Sequence, residues 1–338
     1  MLEITLDEQE VGEIHGLLAE VAMNFTSVES PEFLMEATLL SHELPRRLRK
    51  KMSDFRLRDG DYGVMVIRGF PVDEERIGPT PASWDERSAS THTFEEEALL
   101  SLCGTLLGDL VTWASEQDGY IVHNVLPIKK YEDSQLGWGS AKEFILHVED
   151  AFSPYSPDYL GLICMRNPDL TGTAISTLAG LDLSQLDLDT LFGENFYVRP
   201  DDAHLASADQ QNGYNSDRRL ALSQREEEIT HPPKTSILFG NKEAPFLRLD
   251  PPYMYADADE KSQRAMAQFL QALNANKTRV HLRPGDMVFI DNCHTVHGRD
   301  PFKAKYDGTD RWLKRVKVAR DLRKSRAYRA SATSRKIL

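Results

Sequence analysis

The chain has 338 residues, 41% of them hydrophobic, enough to bury a sizeable core. Its formal charge of −13 argues against a nucleic-acid partner, because phosphate affinity is built from clustered lysine and arginine. Three scattered cysteines, Cys103, Cys164 and Cys293, form neither a disulfide framework nor a zinc pattern, which suits a reducing cytoplasm. The N-terminus lacks a basic stretch followed by an apolar run, so no signal peptide is expected. No apolar stretch is long enough to predict a membrane span.

Val11, Ile14, Leu17, Leu18, Val21 and Phe25 recur at three- and four-residue steps, predicting a helix over 7–25. A second helical stretch is expected over about 31–53, its basic residues forming a solvated face. Tyr62–Phe70 is β-rich and ends in Gly-Phe-Pro, a strand with a stop signal. Residues 71–93 read as a loop, and Glu95–Leu110 resumes helical spacing. A turn through 113–119 leads into a strand at Tyr120–Pro127. Residues 128–141 are polar and glycine-bearing, a surface loop or a lid.

Phe144-Ile-Leu-His147-Val148-Glu149-Asp150 is the first stretch with chemistry in it. Side chains alternate along an extended strand, so His147 and Glu149 share a face while Val148 packs inward. A distant histidine would complete a two-His, one-carboxylate triad, the pattern of non-heme Fe(II) oxygenases. Tyr159–Arg166 predicts a strand, 183–193 looks helical, and 200–233 reads as a long polar insertion. Lys234–Gly240 is a short strand, and Ala258–Asn274 an amphipathic helix.

Strands follow at Arg279–Leu282 and Asp286–Asp291. The second of them runs on to His294 and His297, both candidates for the third ligand. Gly298 then allows a close backbone approach or an unusual φ. Arg311 and Arg315 are four residues apart on an extended run and can share a face. A guanidinium grips a carboxylate through two parallel hydrogen bonds. Two of them near a metal suggest two carboxylates, one from 2-oxoglutarate and one from an amino acid. The tail from Arg320 to Leu338 is basic and poor in apolar residues, and reads as a solvated or partly disordered end. Strands dominate the centre and end of the chain, with no βαβ alternation and no repeat. The expectation is a single α+β domain over 1–338: a double-sheet jelly roll, flanking helices, an N-terminal helical region and the insertion at about 200–233.

The chain resembles the clavaminate synthase-like Fe(II)/2-oxoglutarate-dependent oxygenases, and within them the arginine 3-hydroxylases of antibiotic biosynthesis. Matching runs lie between about Glu43 and Arg326. They include Glu43 to Arg49, Val125 to Lys129, Glu149 to Tyr155, Arg199-Pro-Asp-Asp202, Phe289-Ile-Asp-Asn292, Val296-His-Gly-Arg299 and Asp310 to Arg315. The resemblance implies a double-stranded β-helix core with His147, Glu149 and His297 as iron ligands. It implies that Arg311 holds the distal carboxylate of 2-oxoglutarate, helped by the hydroxyl of Ser176, or of Thr177 or Thr173 nearby. Arg315 would clamp the substrate α-carboxylate, and Glu116 would meet its amine with Glu149 alongside. Asp250 would meet its cationic end, and Leu136 would lie in the lid.

Three positions depart from the family pattern: Pro252 replaces a second Asp, Glu116 a Gln, and Ala203 a Ser. They bear on the substrate and leave the metal chemistry intact. The implied reaction uses Fe(II), 2-oxoglutarate and O2 to oxidise C3 or C4 of a free basic L-amino acid, arginine first. Desaturation, or lysine, citrulline or asparagine as substrate, are the alternatives within the same chemistry. A zinc hydrolase fits less well, since the motif is on strands and Arg311 has no task in it. A non-catalytic binding module leaves the complete ligand set without a purpose.

Overall fold

Alternating apolar side chains on the central strands fall into two separate cores, so both faces of each strand are covered. The computed structural model describes residues 1–58, 60–86, 92–204, 220–221, 226, 228–256 and 258–338. Its first strands are β1 (Leu2–Thr5), β2 (Val64–Arg68), β3 (Asp109–Trp113), β4 (His123–Val125), β5 (Phe144–His147), β6 (Tyr159–Arg166) and β7 (Thr173–Thr177). Short strands follow: β8 (Phe196–Val198), β9 (Lys234–Thr235), β10 (Leu238–Asn241), β11 (Ala244–Leu247) and β12 (Met254–Ala256). The last are β13 (Thr278–Val280), β14 (Met287–Asp291), β15 (Thr295–Arg299), β16 (Trp312–Ala319) and β17 (Lys336–Ile337).

The larger sheet has the order β1-β2-β14-β6-β16-β3-β17, with β4 also paired to β16. The smaller has the order β13-β7-β15-β5. Val64 and Val66, Leu160 and Leu162, Val288 and Ile290 meet Ile175 and Val280 of the smaller sheet in a core between the two. The alternate residues Met65, Ile67, Ile163, Met287 and Phe289 face the other way. They pack on the helices Glu8–Asn24, Pro31–Ser41, Arg46–Leu57 and Phe94–Thr105. On the far side of the smaller sheet, Leu146, Ala174 and Val296 share a core with Phe269 and Leu273 of the helix Glu260–Ala275. Among the described residues no helix is long and apolar enough to cross a membrane.

The expected helix over 31–53 is two helices, broken before Arg46. Pro45 lacks the N–H that would continue the first helix and pushes Leu44 out of helical geometry. The helix predicted to reach Leu110 stops at Thr105, because Asp109 to Trp113 joins the larger sheet as β3. Much of the tail is solvent-exposed, as expected, but its end is tied to the rest of the protein. β17 pairs in parallel with β3, and Ile337 is 2% exposed. Arg329 donates to the carbonyls of Leu322, Ser331, Ala332 and Ser334, satisfying a turn that has few apolar residues to hold it. Of the expected insertion, Ala203 and His204 are buried in the body of the protein. Residues 205–219, 222–225 and 227 lie outside the described residues.

The edge of the smaller sheet sets up the site. β5 and β15 run antiparallel with His147 directly opposite His297, and the register slips before Arg299. Gly298 is there because the strands approach too closely for a side chain. A Cβ at that position would lie 2.3 Å from the Phe144 carbonyl oxygen. Gly298→Ala should therefore push β5 from β15 and cost about 1–3 kcal/mol of stability by denaturant titration; an unchanged midpoint would contradict the close approach.

Candidate active site

His147 ends β5 and His297 lies in mid-β15, and their ring centroids are 4.4 Å apart. Glu149 Oε2 is 3.5 Å from His297 Nε2 and 4.0 Å from His147 Nε2. All three side chains are buried, and one donor atom from each lies within 4.8 Å of the others. His147 Nδ1 sits 2.8 Å from the Ile145 carbonyl oxygen, so that nitrogen carries the proton and the Nε2 lone pair faces the centre. Burial, with His297 next to it, pushes the His147 imidazolium down to about 3, keeping the ring neutral and free to ligate. Two imidazoles and one carboxylate on one side of a centre are the donor set that suits Fe(II) with open positions.

Glu149 is held from behind. Its N–H donates to Asn292 Oδ1 at 2.9 Å, and Asn292 Nδ2 donates back to the Glu149 carbonyl at 3.0 Å. The Val148 N–H donates to Leu249 O at 2.7 Å, and the Val148 side chain is buried in the core. The strand itself ends at His147, so these bonds, rather than sheet pairing, keep Glu149 on the same side. Asp150 then takes φ 53°, which turns the chain away from the centre.

Glu149 Oε1 points at two cations, with Arg315 Nη1 at 2.7 Å and Lys317 Nζ at 3.3 Å. Burial alone would raise this carboxyl, but Arg315 and Lys317 hold it well below the usual range. Glu116 is held down by the same two cations: Arg315 donates to Oε1, and Lys317 to Oε2 at 2.5 Å. His123 Nδ1 lies 2.8 Å from Arg315 Nη2 and can only accept there, which leaves Nε2–H to donate to Thr112 Oγ1 at 3.1 Å. Burial lowers His123 to about 4 and keeps it neutral.

Two cavities meet at Glu149. The first is lined by Arg311, Thr173, Arg299, His297, Leu160, Leu162 and Leu313. Arg311 is 6% exposed and has no carboxylate partner among the described residues. Its contact is Thr173 Oγ1 at 3.5 Å, and burial lowers its guanidinium to about 10. Arg299 is lowered to about 9 by burial and by Arg311. This cavity therefore has greasy walls and an uncompensated positive end. The second cavity is lined by Glu116, Leu136, Trp138, Phe144, His147, Asp201, Ala203 and Arg315. Its lining carries the acids Glu116, Glu149 and Asp201 beside Arg315. Burial raises Asp201 to about 6, and burial together with Asp201 raises Asp250 well above the carboxylate range.

His147, Glu149, His297, Arg311, Arg315, Glu116 and Leu136 thus converge on adjoining cavities, and Asp250 lies close enough to feel the charge of Asp201 and Glu149. Ser176 does not join them. It pairs with Val296, on the opposite face of β7 from Thr173, which pairs with Arg299. The hydroxyl beside Arg311 is Thr173. His294 is also elsewhere, with Nδ1 3.1 Å from Asp291 Oδ2. Three residues escaped the sequence reading. Lys317 is two residues beyond Arg315 on one strand face, so period two was its signal. Asp201 lies in the Arg-Pro-Asp-Asp run that had been assigned to an insertion. His123 had no signal in the sequence. The glycine-bearing loop 128–141 lies over the second cavity through Leu136 and Trp138, and Arg299 pins its end by donating to the Ser140 and Lys142 carbonyls.

Comparison with known proteins gives a consistent picture. Residues 203–317 match the model of the taurine catabolism dioxygenase TauD, TfdA family. An enduracididine beta-hydroxylase of Streptomyces hygroscopicus is 40% identical over 100% of both chains. An L-ornithine/L-arginine 3-hydroxylase of Catenulispora acidiphila is 37% identical, again over 100% of both. The non-heme iron oxygenase OrfP, solved with Fe, succinate and (3S)-hydroxy-L-Arg, superposes with a TM-score of 0.92 at 37% identity, covering 100% of both chains.

Asn292→Ala removes both bonds that hold the Glu149 backbone. It should weaken divalent-metal binding about 10- to 100-fold, measured by calorimetry with Co(II), while the fold survives; wild-type affinity would show that Asn292 does not support the centre.

Proposed function

The chain belongs to the TauD/TfdA family of Fe(II)- and 2-oxoglutarate-dependent oxygenases, among its amino-acid hydroxylases, and on that basis we propose that it hydroxylates C3 of a free basic L-amino acid, arginine first. The observation that carries this reading is the opposite charge of the two cavities that meet at Glu149. Arg311 is a buried cation with no carboxylate partner among the described residues, while Asp201 is raised by burial and Asp250 by burial together with Asp201. A dicarboxylate on one side and a cationic side chain on the other satisfy both. The relatives named for position 3 or the β carbon support C3 over C4.

His147, Glu149 and His297 would hold Fe(II), which would supply the chemistry, coupling O2 and the conversion of 2-oxoglutarate to succinate and carbon dioxide to oxidation of a C–H bond. The protein's own part is placement. Arg311, steadied by Thr173, would take the distal carboxylate of 2-oxoglutarate, with Leu160, Leu162 and Leu313 along its methylenes. Arg315 would take the substrate α-carboxylate, and its bond to Glu116 sets the guanidinium plane beforehand. Glu116 would accept from the substrate amine. Asp250 and Asp201 would share the cationic end. Asp201 thereby takes the part that an acid at position 252, where Pro252 stands, would have played. Leu136 and Trp138 would exclude water from above.

We read the whole chain as one oxygenase domain on a double-stranded β-helix, acting in the cytoplasm on a small molecule rather than on nucleic acid. Two facing sheets, end-to-end alignment with relatives and the net charge of −13 support this.

L-Arginine incubated with the protein, Fe(II) and 2-oxoglutarate should gain 16 mass units as succinate forms; no amino acid consumed across a basic and neutral panel would end the reading. His147→Ala should abolish turnover. Arg311→Ala should raise the 2-oxoglutarate KM at least about 30-fold, equivalent to about 2 kcal/mol. Asp201 must be ionised to meet a cation, and burial raises it to about 6. The kcat/KM for arginine should therefore fall as pH drops through about 6, and a flat profile would remove Asp201 from the site.

A further inference from the structure

A second group of metal-type donors lies beside the first. Glu116, Asp150 and His204 are buried, and one donor atom from each falls within 4.8 Å of the others. His204 Nε2 is 3.2 Å from Asp150 Oδ1, and Trp113 Nε1 donates to Asp150 Oδ2 at 2.7 Å. The group is already occupied by a side chain. Lys317, 2% exposed, places its ammonium 2.5 Å from Glu116 Oε2 and 2.7 Å from Asp150 Oδ2. The same ammonium lies 3.3 Å from Glu149 Oε1, the oxygen turned away from His147 and His297.

We infer that Lys317 is a built-in cation with two consequences. It fills the Glu116–Asp150–His204 site, so the protein takes one divalent ion and not two. It also engages Glu149 Oε1, leaving Oε2 as the single ligand oxygen. An ammonium suits this work because it is a compact charge with three donors, one for each carboxylate it touches. A divalent ion in its place would draw on the same oxygens of Glu116 and Asp150 and would compete for Glu149. Lys317 is thus a positioning residue, acting on the metal through Glu149. The inference rests on the proposal that His147, Glu149 and His297 hold iron.

Titration of the metal-free full-length protein with Co(II), followed by calorimetry and visible absorption, tests it without turnover. The wild type should take one equivalent. Lys317→Ala should take two, with a second absorption signature. Adding His204→Ala to Lys317→Ala should return the count to one, whereas adding His147→Ala should leave one ion at the new site. A single equivalent with an unaltered spectrum in Lys317→Ala overturns the inference.

Should Lys317→Ala fail to fold, the charge-balanced pair Glu116→Gln with Lys317→Met serves instead. It lacks both the ammonium and one donor of the second site, so it should take one equivalent, with a changed spectrum and roughly 10-fold weaker affinity. A wild-type spectrum and affinity would sink the inference. A wild type that binds no Co(II), or binds it equally after His147→Ala, would instead defeat the underlying metal assignment.

Discussion

Charge buried away from water is the constraint on which this protein turns. Glu116, Glu149 and Asp150 are at most 6% exposed, and each would be raised by burial alone. Arg315 and Lys317, projecting from one face of β16, hold all three ionised. Removing one partner from such an arrangement leaves a buried charge uncompensated, which costs about 3–5 kcal/mol. The orientation of Glu149 and Arg315 follows from this network. Glu149 offers one oxygen to the two imidazoles because its other oxygen is engaged. Arg315 is oriented before any substrate arrives, and Asp150 turns the chain where β5 has ended.

The network is closed, but the two cavities beside it are not. Arg311 and Arg299 stand close together in the first with no carboxylate partner among the described residues, and Asp201 in the second, with Asp250 nearby, is raised by burial. These groups are held in poor environments by the packing around them, and ligands of opposite charge relieve that cost. Selectivity follows from where the unrelieved charge sits. On the proposed function, a dicarboxylate would lie beside Arg311, and an amino acid with a cationic end would span from Arg315 to Asp201 and Asp250. The departures from the family pattern gain a physical context here. Glu116, in place of a glutamine, brings a negative charge that Lys317 and Arg315 share, and Asp201 brings a second acid near Asp250 from another part of the chain.

Much of this was legible before any fold was known. His147 and Glu149 are two apart in an apolar run, and Arg311 and Arg315 are four apart in another, spacings that survive folding because a strand has a fixed period. The strands β6, β14 and β16 and the helix Glu260–Ala275 fall where apolar alternation or helical spacing put them. The end of the tail misled because β17 is held by backbone pairing with β3, which has no compositional trace. Asp201 misled because its neighbours are polar.

By itself the amino-acid sequence determined the donor types and their local spacing: His-x-Glu, the two arginines, and a glycine after His297. Tertiary structure decided which groups share a charge. Choosing His297 over His294 depended on the cross-strand register, and choosing Thr173 over Ser176 on which face of β7 meets β16. Pairing of Lys317 with acids from positions 116 and 150 depended on three segments meeting in one buried place. Electrostatic energy depends on distance and on exclusion of water, and residues far apart along a chain acquire both only when it folds.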